Sequence, residues 1–420
     1  MTELSNPIQH PRLRNRFLSQ PIARRAYRVI QILAVIALLS DFLANDKPLY
    51  CKIDGTSYFP VFKQYAVQLG LSTWDAQFVT KRWSEQSFEV AIWPPIPYAA
   101  HTIDLKNGRF TSPLAPQRVE KLSRRHWLGT DQLGRDLAAG LIAGTRTALL
   151  VGLVAMAIAG SIGILLGTAA GYFGNNNLRT HPFIAFVGLV GLGWIWYYWM
   201  VSRSYGLLEG RWLQQVLTAL LYSMLFALAL ARLNRLLQRN GTLRTTIRIP
   251  LDDIILRIIE IVSALPGLML ILAITALIKN PGIYDIMLII GLISWTGIAR
   301  FARAEMIRIR SLEYLQAARV LGYGHWRIIR RHALPNILTP LLISLAFGMS
   351  GAVLLEAFLS FLGLGLDAEA TSWGSLLNMA KSNISAWWMA VFPGLAIFAL
   401  VLSFNLVGEG LSNAIERTTP

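Results

Sequence analysis

Apolar runs about as long as a lipid bilayer is thick recur along this 420-residue chain. A helix rises about 1.5 Å per residue, so ~20 mostly apolar residues cover a hydrocarbon core of ~30 Å. Eight such runs stand out, roughly Ala26–Leu43, Thr147–Tyr172, Pro182–Ser202, Leu213–Ala231, Ile254–Ile278, Ile286–Ile298, Ile337–Leu364 and Trp387–Val407. Lipid offers the backbone no hydrogen-bond partner, so each run is expected to be a helix and the fold an all-α polytopic membrane bundle. Composition points the same way, with 54% hydrophobic and only 15% charged side chains. One cysteine, Cys51, excludes an intrachain disulfide and a cysteine-built zinc or iron–sulfur cage. A soluble enzyme and a secreted disulfide scaffold are thereby ruled out as the main body.

The charges give a direction. The net charge is +16, and it falls between apolar runs rather than on polar sequence, so membrane lipid and not nucleic acid is the expected surface. Arg12, Arg14, Arg16, Arg24, Arg25 and Arg28 crowd the N-terminus against Glu3. Arg232, Arg235, Arg239, Arg244 and Arg248 follow the fourth run. Arg300, Arg303, Arg308, Arg310, Arg319, Arg327, Arg330 and Arg331 follow the sixth. The loops Arg203–Arg211, Lys279–Asp285 and Leu366–Ala386 are short or nearly neutral. Eight crossings from a cytoplasmic N-terminus put every arginine-rich loop on one side, with both termini inside.

This divides the chain into a cytoplasmic tail (1–25), a first membrane helix (26–44), an external region (45–125), and an outer entry segment with the second membrane helix (126–174). A helix pair with a basic loop (175–250), a core (251–411) and a cytoplasmic tail (412–420) follow. Asp46 and Lys47 follow the first run without a small-residue cleavage site, so it is expected to stay as an uncleaved anchor. The external region holds Trp74, Trp83, Trp93 and Pro94-Pro95, and reads either as a small folded cap or as a loop lying on headgroups.

The loop after the sixth run, EYLQAARVLGYGHWRIIRRHALPN (Glu313–Asn336), carries Tyr314, Ala317, Ala318 and Leu321 at helical spacing. Gly322 and Gly324 mark a bend, Trp326, Ile328 and Ile329 restart an apolar face, and Pro335 opens the next helix. The residues alone leave two readings open. One is a small-residue knob gripped by a partner, the other an amphipathic helix lying on anionic lipid.

AARVLG followed by RRHALP resembles the EAA motif of bacterial ABC-importer permeases. HWLGTDQLGRDLAAGLIAGTRTALLVG (His126–Gly152), ALPGLMLIL (Ala264–Leu272), LLEAFLSFLGLGLDAEATSWGSLL (Leu354–Leu377) and FPGLAIFALVLSFNLVGEGL (Phe392–Leu411) are similar to the dipeptide, oligopeptide and nickel permeases, in the same order. Leu43–Tyr65 is similar to the external segment of the permease of an enterobacterial peptide and microcin C importer. The resemblance implies a type I ABC importer permease in the bacterial inner membrane. Its partners would be a second homologous permease, two cytoplasmic ATPases and an external solute-binding protein, and its substrate a peptide. ATP and Mg would sit on the ATPases, with no cofactor on this chain. The motif's positions fall on Glu313, Gln316, Ala317, Ala318, Gly322, Leu334 and Pro335, which would form the ATPase-coupling loop. Gln316 stands where the family often has glutamate, with Glu313 one turn earlier. Residues Asn175–Pro250 depart from the family's six-helix core as an inserted pair of crossings.

Other residues carry competing readings. No G-x-x-x-x-G-K-[ST] loop is present, and GTDQLGRD lacks its lysine, so no ATP site and no catalysis are expected on this chain. Asp131 and Asp136 are expected to cap the segment entering the second helix rather than to join His126 in a metal site. Glu356, mid-helix, reads as part of the translocation path or permease interface, or as packing polarity. Pro266 and Gly267 read as a gating kink or a packing notch, while Gly363 and Gly365 permit close helix approach and end a helix. Arg257 and Glu260 are spaced for an ion pair, and Arg146 is expected to snorkel. The alternatives to a peptide importer are a permease for nickel or another small solute, or a secondary transporter or channel outside the ABC class. A transporter of that last kind favours paired midplane acids and inverted repeats, which the sequence lacks.

Overall fold

The computed structural model describes residues 10–75, 78, 83, 86–119, 121–176, 178–180, 182–198, 201, 212–239, 247–278, 281–364 and 371–416. Each of the eight apolar runs is mostly helical where it is described, with breaks at Leu39, at Leu265–Pro266 and after Phe361. Five helices have the length and composition to cross a membrane: Leu137–Phe173, Leu217–Asn234 within Trp212–Arg239, Ile283–Arg310, His325–Phe361 and Trp387–Ile415. The pair Leu251–Ala264 and Gly267–Leu277, bent by 77°, is apolar enough for a sixth, broken span or a re-entrant loop. The run Ile254–Ile278 is thus interrupted at Pro266-Gly267, the position read as a kink or notch. Pro266 lacks the N–H that would continue the ladder and leaves the helical region at φ −56° and ψ 119°. Two runs give less than a full apolar span. The N-terminal helix Pro21–Leu38 has Arg24, Arg25 and Arg28 within its 18 residues, and Pro182–Tyr197 has 16 residues. Of the residues singled out above, Trp199, Arg203–Arg211, Arg244 and Gly365 lie outside the described residues.

The chain forms two compact units. One comprises residues 10–154 and 346–420. Here Pro21–Leu38 runs along Trp387–Glu416, closely enough for the Gln20 side chain to donate to the Gly410 carbonyl at 3.1 Å. Its core gathers Leu137, Val353, Trp373, Trp388, Met389, Leu400 and Phe404. The described part of residues 45–125 is a small fold: Tyr50–Ile53 pairs antiparallel with Thr56–Tyr58 on one side and Val90–Ile92 on the other. Cys51, Phe78 and Trp83 are buried together beneath that sheet. Phe78 and Trp83 stack with ring centroids 4.6 Å apart.

The other unit comprises residues 155–345. Its centre is the crossing of Leu137–Phe173 with Ile283–Arg310, where Gly163, Gly167 and Gly171 recur every fourth residue on one face. A Cβ added at Gly167 would fall 2.3 Å from the Ala299 carbonyl oxygen, so only glycine lets the two backbones meet here. Asp252, at the start of the bent pair, grips Arg303 of the long helix through two bonds of 2.5 and 2.6 Å. Arg300 adds a bond to Ser263 Oγ at 2.7 Å. Pro182–Tyr197 packs against Trp212–Arg239, and the short strands Arg179–Thr180 and Ile247–Arg248 pair at the base of that helix pair.

Candidate functional site

The loop singled out by its motif is a helix, a bend and a second helix. Glu313–Val320 forms the first limb, and His325–Ile328 opens the second. A π-helical turn over Ile329–Ala333 leads into Leu334–Phe361. Gly322 makes the bend at φ +77°, a conformation an L side chain enters only under strain. The Tyr323 N–H reaches back to the Ala318 carbonyl at 3.2 Å, closing the first limb in a glycine-terminated cap. Pro335 does not open a new helix as expected: it lies inside the continuous His325–Phe361 helix, just after the π-helical turn Ile329–Ala333, where the ladder is already irregular.

The expected stripe divides in two. Leu315 and Ala318 face inward and are buried, whereas Tyr314, Ala317 and Leu321 face out. The 100° step per residue sets Leu315 and Ala318 about 60° apart on one side, while Ala317 stands about 160° from Leu315 and about 100° from Ala318. Ala318 is therefore an anchor to its own chain, and Ala317 alone of the alanine pair is presented. In the second limb Ile328 is buried and Trp326 is exposed. Together Leu312, Tyr314, Ala317, Val320, Leu321 and Trp326 give the loop an outward apolar surface, with Val320 87% and Leu321 71% exposed. Glu313 is exposed, and Gln316 is exposed with its side-chain amide donating to the Ser311 carbonyl at 3.0 Å. Leu334 is half-buried at the start of its helix.

Tyr172 holds this loop, and the sequence reading missed it. It is buried at the end of Leu137–Phe173, and its hydroxyl hydrogen-bonds His325 Nδ1 at 3.0 Å. The Arg319 guanidinium lies 5.0 Å from its ring centroid, and Arg310 donates to its carbonyl at 3.3 Å. One side chain thus touches both limbs. Its only sequence signal was an aromatic residue one position before Phe173 and Gly174 at a helix end. On the second limb, Asn336 donates to the His332 carbonyl and to the Tyr314 hydroxyl, each at 2.9 Å, which ties the two limbs again.

The other singled-out residues lie apart from this loop. Pro266 and Gly267 form the 77° break. Glu356 is buried and accepts from Ser360 Oγ at 2.7 Å, with Ser372 as a second partner. Gly363 has φ +81° beyond the end of that helix. Arg257 and Glu260 pair at 2.9 Å on an exposed face. Arg146 does not simply snorkel: it binds Asp41 at 2.7 Å and the Ala37 carbonyl at 3.1 Å.

In the entry segment, Asp136 Oδ1 accepts the Ala139 N–H at 2.8 Å, the expected cap of the helix. Asp131 Oδ1 accepts the N–H groups of Leu133 and Arg135. His126 is fully buried between Asp136 at 2.7 Å and Asp104 at 3.3 Å, with Tyr98 stacked on its ring. Burial opposes its charge, but hydrogen bonding and attraction from Asp136, then from Asp104, prevail and hold its pKa above the ordinary histidine value.

Residues 245–419, which include the whole loop, match the model of the family described as binding-protein-dependent transport system inner membrane component. The chain is 26% identical to the peptidoglycan transport system permease protein YejE of Agrobacterium fabrum, over 98% of this chain and 94% of the relative. It is 27% identical to the inner membrane ABC transporter permease protein YejE of Escherichia coli, over 94% of this chain and 93% of the relative. It is 30% identical to the di/tripeptide transport system permease protein DppC of Pseudomonas aeruginosa, over 72% of this chain and 75% of the relative. The helices, the loop and these similarities together establish that the chain belongs to the binding-protein-dependent transport system inner membrane component family.

Proposed function

We propose that this chain is the permease subunit of an ATP-driven peptide importer and that the Glu313–Pro335 loop is where a cytoplasmic ATPase takes hold. The observation that carries the coupling role is the division of the loop helix: Leu315 and Ala318 anchor it inward while Ala317, Val320 and Leu321 are offered outward. An apolar knob flanked by Arg319 and Arg327 suits a cleft on another protein. Tyr172 and Asn336 make the two limbs a rigid lever, so a displacement of the knob is passed to Leu137–Phe173 and Leu334–Phe361 rather than lost in the loop.

The energy comes from ATP and Mg on two partner ATPases. A second permease completes the pore, and an external binding protein delivers the peptide. ATP-driven closure of the ATPases draws the loops together and favours the outward-facing state; hydrolysis restores the inward-facing one. Such coupling requires that each pore state prefer a different loop position. The loop is cytoplasmic in this reading, as are both termini. Peptide as the substrate class rests on relatives named for dipeptides, di/tripeptides and peptidoglycan. The test is copurification with the ATPases, followed by ATP hydrolysis in lipid discs with the binding protein. Hydrolysis stimulated by a loaded peptide-binding protein supports the reading. Hydrolysis indifferent to every peptide, with the complex intact, overturns the substrate class.

A further inference from the structure

The unit that carries the loop also contains an apolar cavity of about 1250 Å³. It begins beside Met156 and ends beside Phe173, so it follows the helix for ~25 Å at 1.5 Å per residue. Drug-sized ligands occupy ~300–1,000 Å³, so this space exceeds what one small solute fills. Ala231 of the Trp212–Arg239 helix and Trp326, Ile329 and Arg330 of the coupling loop form further parts of its wall. No acidic side chain lines it among the described residues.

Ser161, Thr168, Asn234, His325 and Arg330 break its apolar surface. The Thr168 side chain is 95% buried, lines the cavity, and leaves its hydroxyl without a hydrogen-bond partner among the described residues. That hydroxyl is itself occluded, so Thr168 contributes wall to the cavity and no contact for an occupant's oxygen. Arg330 is exposed at the loop end and has no carboxylate partner among the described residues. Its neighbours Arg319 and Arg327 are engaged by the rings of Tyr172 and Tyr323. The exposed Trp326 stands at the same end, as an indole does at a membrane interface.

From an apolar body, a cationic mouth and an interfacial tryptophan, we infer that the cavity holds a phospholipid with an anionic headgroup. Its acyl chains lie along Met156–Leu165 and Ala231, and its phosphate meets Arg330. The inference rests on the coupling reading only for the leaflet: a cytoplasmic loop makes it an inner-leaflet lipid. Because Trp326 and Ile329 form one wall, such a lipid fills the space behind the second limb and stiffens the lever.

The test uses the purified importer complex in lipid discs containing phosphatidylglycerol and phosphatidylcholine. Native mass spectrometry counts retained lipid, and a phosphatidylglycerol with a photoactivatable acyl chain reports where the chain lies. The expected result is labelling at Ile164 and Leu165, with phosphatidylglycerol retained in preference to phosphatidylcholine. Arg330→Gln should cut that preference about fivefold, the weight of one basic side chain at an anionic leaflet. Ala157→Trp, placed at an exposed position of the wall, should abolish the labelling; should that variant fail to assemble, the Arg330→Gln comparison decides. An unchanged headgroup preference in Arg330→Gln overturns the proposal. So does a photoreactive residue at Leu165 that captures the second permease and no lipid. Cross-linking of Ala317 to the ATPase in the same samples separates the two claims: docking without lipid retention overturns only the lipid site, and lipid retention without docking overturns only the coupling role.

Discussion

The hydroxyl of Tyr172 lies 3.0 Å from Nδ1 of His325, which joins the end of one membrane helix to the second limb of the exposed loop. A neutral hydrogen bond contributes ~1 kcal/mol net, about a fivefold change in an equilibrium. Tyr172→Phe keeps the ring that Arg319 covers and removes the bond alone. Peptide uptake per ATP hydrolysed should fall about fivefold, with normal amounts of assembled complex. The measurement is coupled uptake and hydrolysis in the same proteoliposomes, and an unchanged ratio would show that the bond does not transmit the motion.

Gly322 occupies φ +77° with open space around it, so a side chain there meets strain and no collision. A left-handed residue other than glycine costs ~1–2 kcal/mol. Gly322→Ala should weaken ATPase binding by about tenfold and leave membrane insertion unchanged. Titration of detergent-purified ATPase onto the permease pair measures it.

Gly167 sets the helix crossing, where a methyl would sit 2.3 Å from the Ala299 oxygen. Overpacking of this kind costs ~1–3 kcal/mol. Gly167→Ala should lower the thermal midpoint in detergent, whereas alanine at Gly297, where an added Cβ finds nothing within 4 Å, should not. Equal midpoints for the two variants would contradict the close crossing.

The buried His126 gives the fold around it a pH dependence. Its folded pKa is raised above 6.5, so its contribution is complete below that value and is lost as pH rises through the folded pKa. Asp104 works in the opposite sense. Burial raises its pKa, but bonds from Asn107 and His126 outweigh this and lower it, so its contribution disappears as pH falls through the folded value. Thermal melts across pH should show the wild-type protein losing stability on the alkaline side, and His126→Gln should flatten that limb.

The apolar runs were legible because lipid forces every backbone group into a helix, whatever the tertiary partners. The loop was legible through its glycines and its spacing, and Gly322 bends where those residue types require. What the spacing could not give was the direction of the stripe. A periodic pattern names a face but not its neighbour, so Ala318 and Ala317 looked alike until Leu315 fixed which one is buried. Tyr172 stands 153 residues away from His325, and an aromatic residue at a helix end says nothing of so distant a partner. The glycine repeat 163–167–171 was present to be read, yet glycine in an apolar run also arises without a tight crossing. The Arg146–Asp41 pair joins positions 105 residues apart and escaped for the same reason as Tyr172.

The account stands on Ala317 meeting an ATP-hydrolysing subunit. With buried Cys51 replaced by alanine and Ala317→Cys introduced, disulfide cross-linking to ATPases with cysteines along their receiving cleft can be followed in intact membranes. The account expects a permease–ATPase adduct from Ala317→Cys and none from the buried Ala318→Cys. A fully assembled complex in which Ala317→Cys forms no adduct with any cleft position would contradict it.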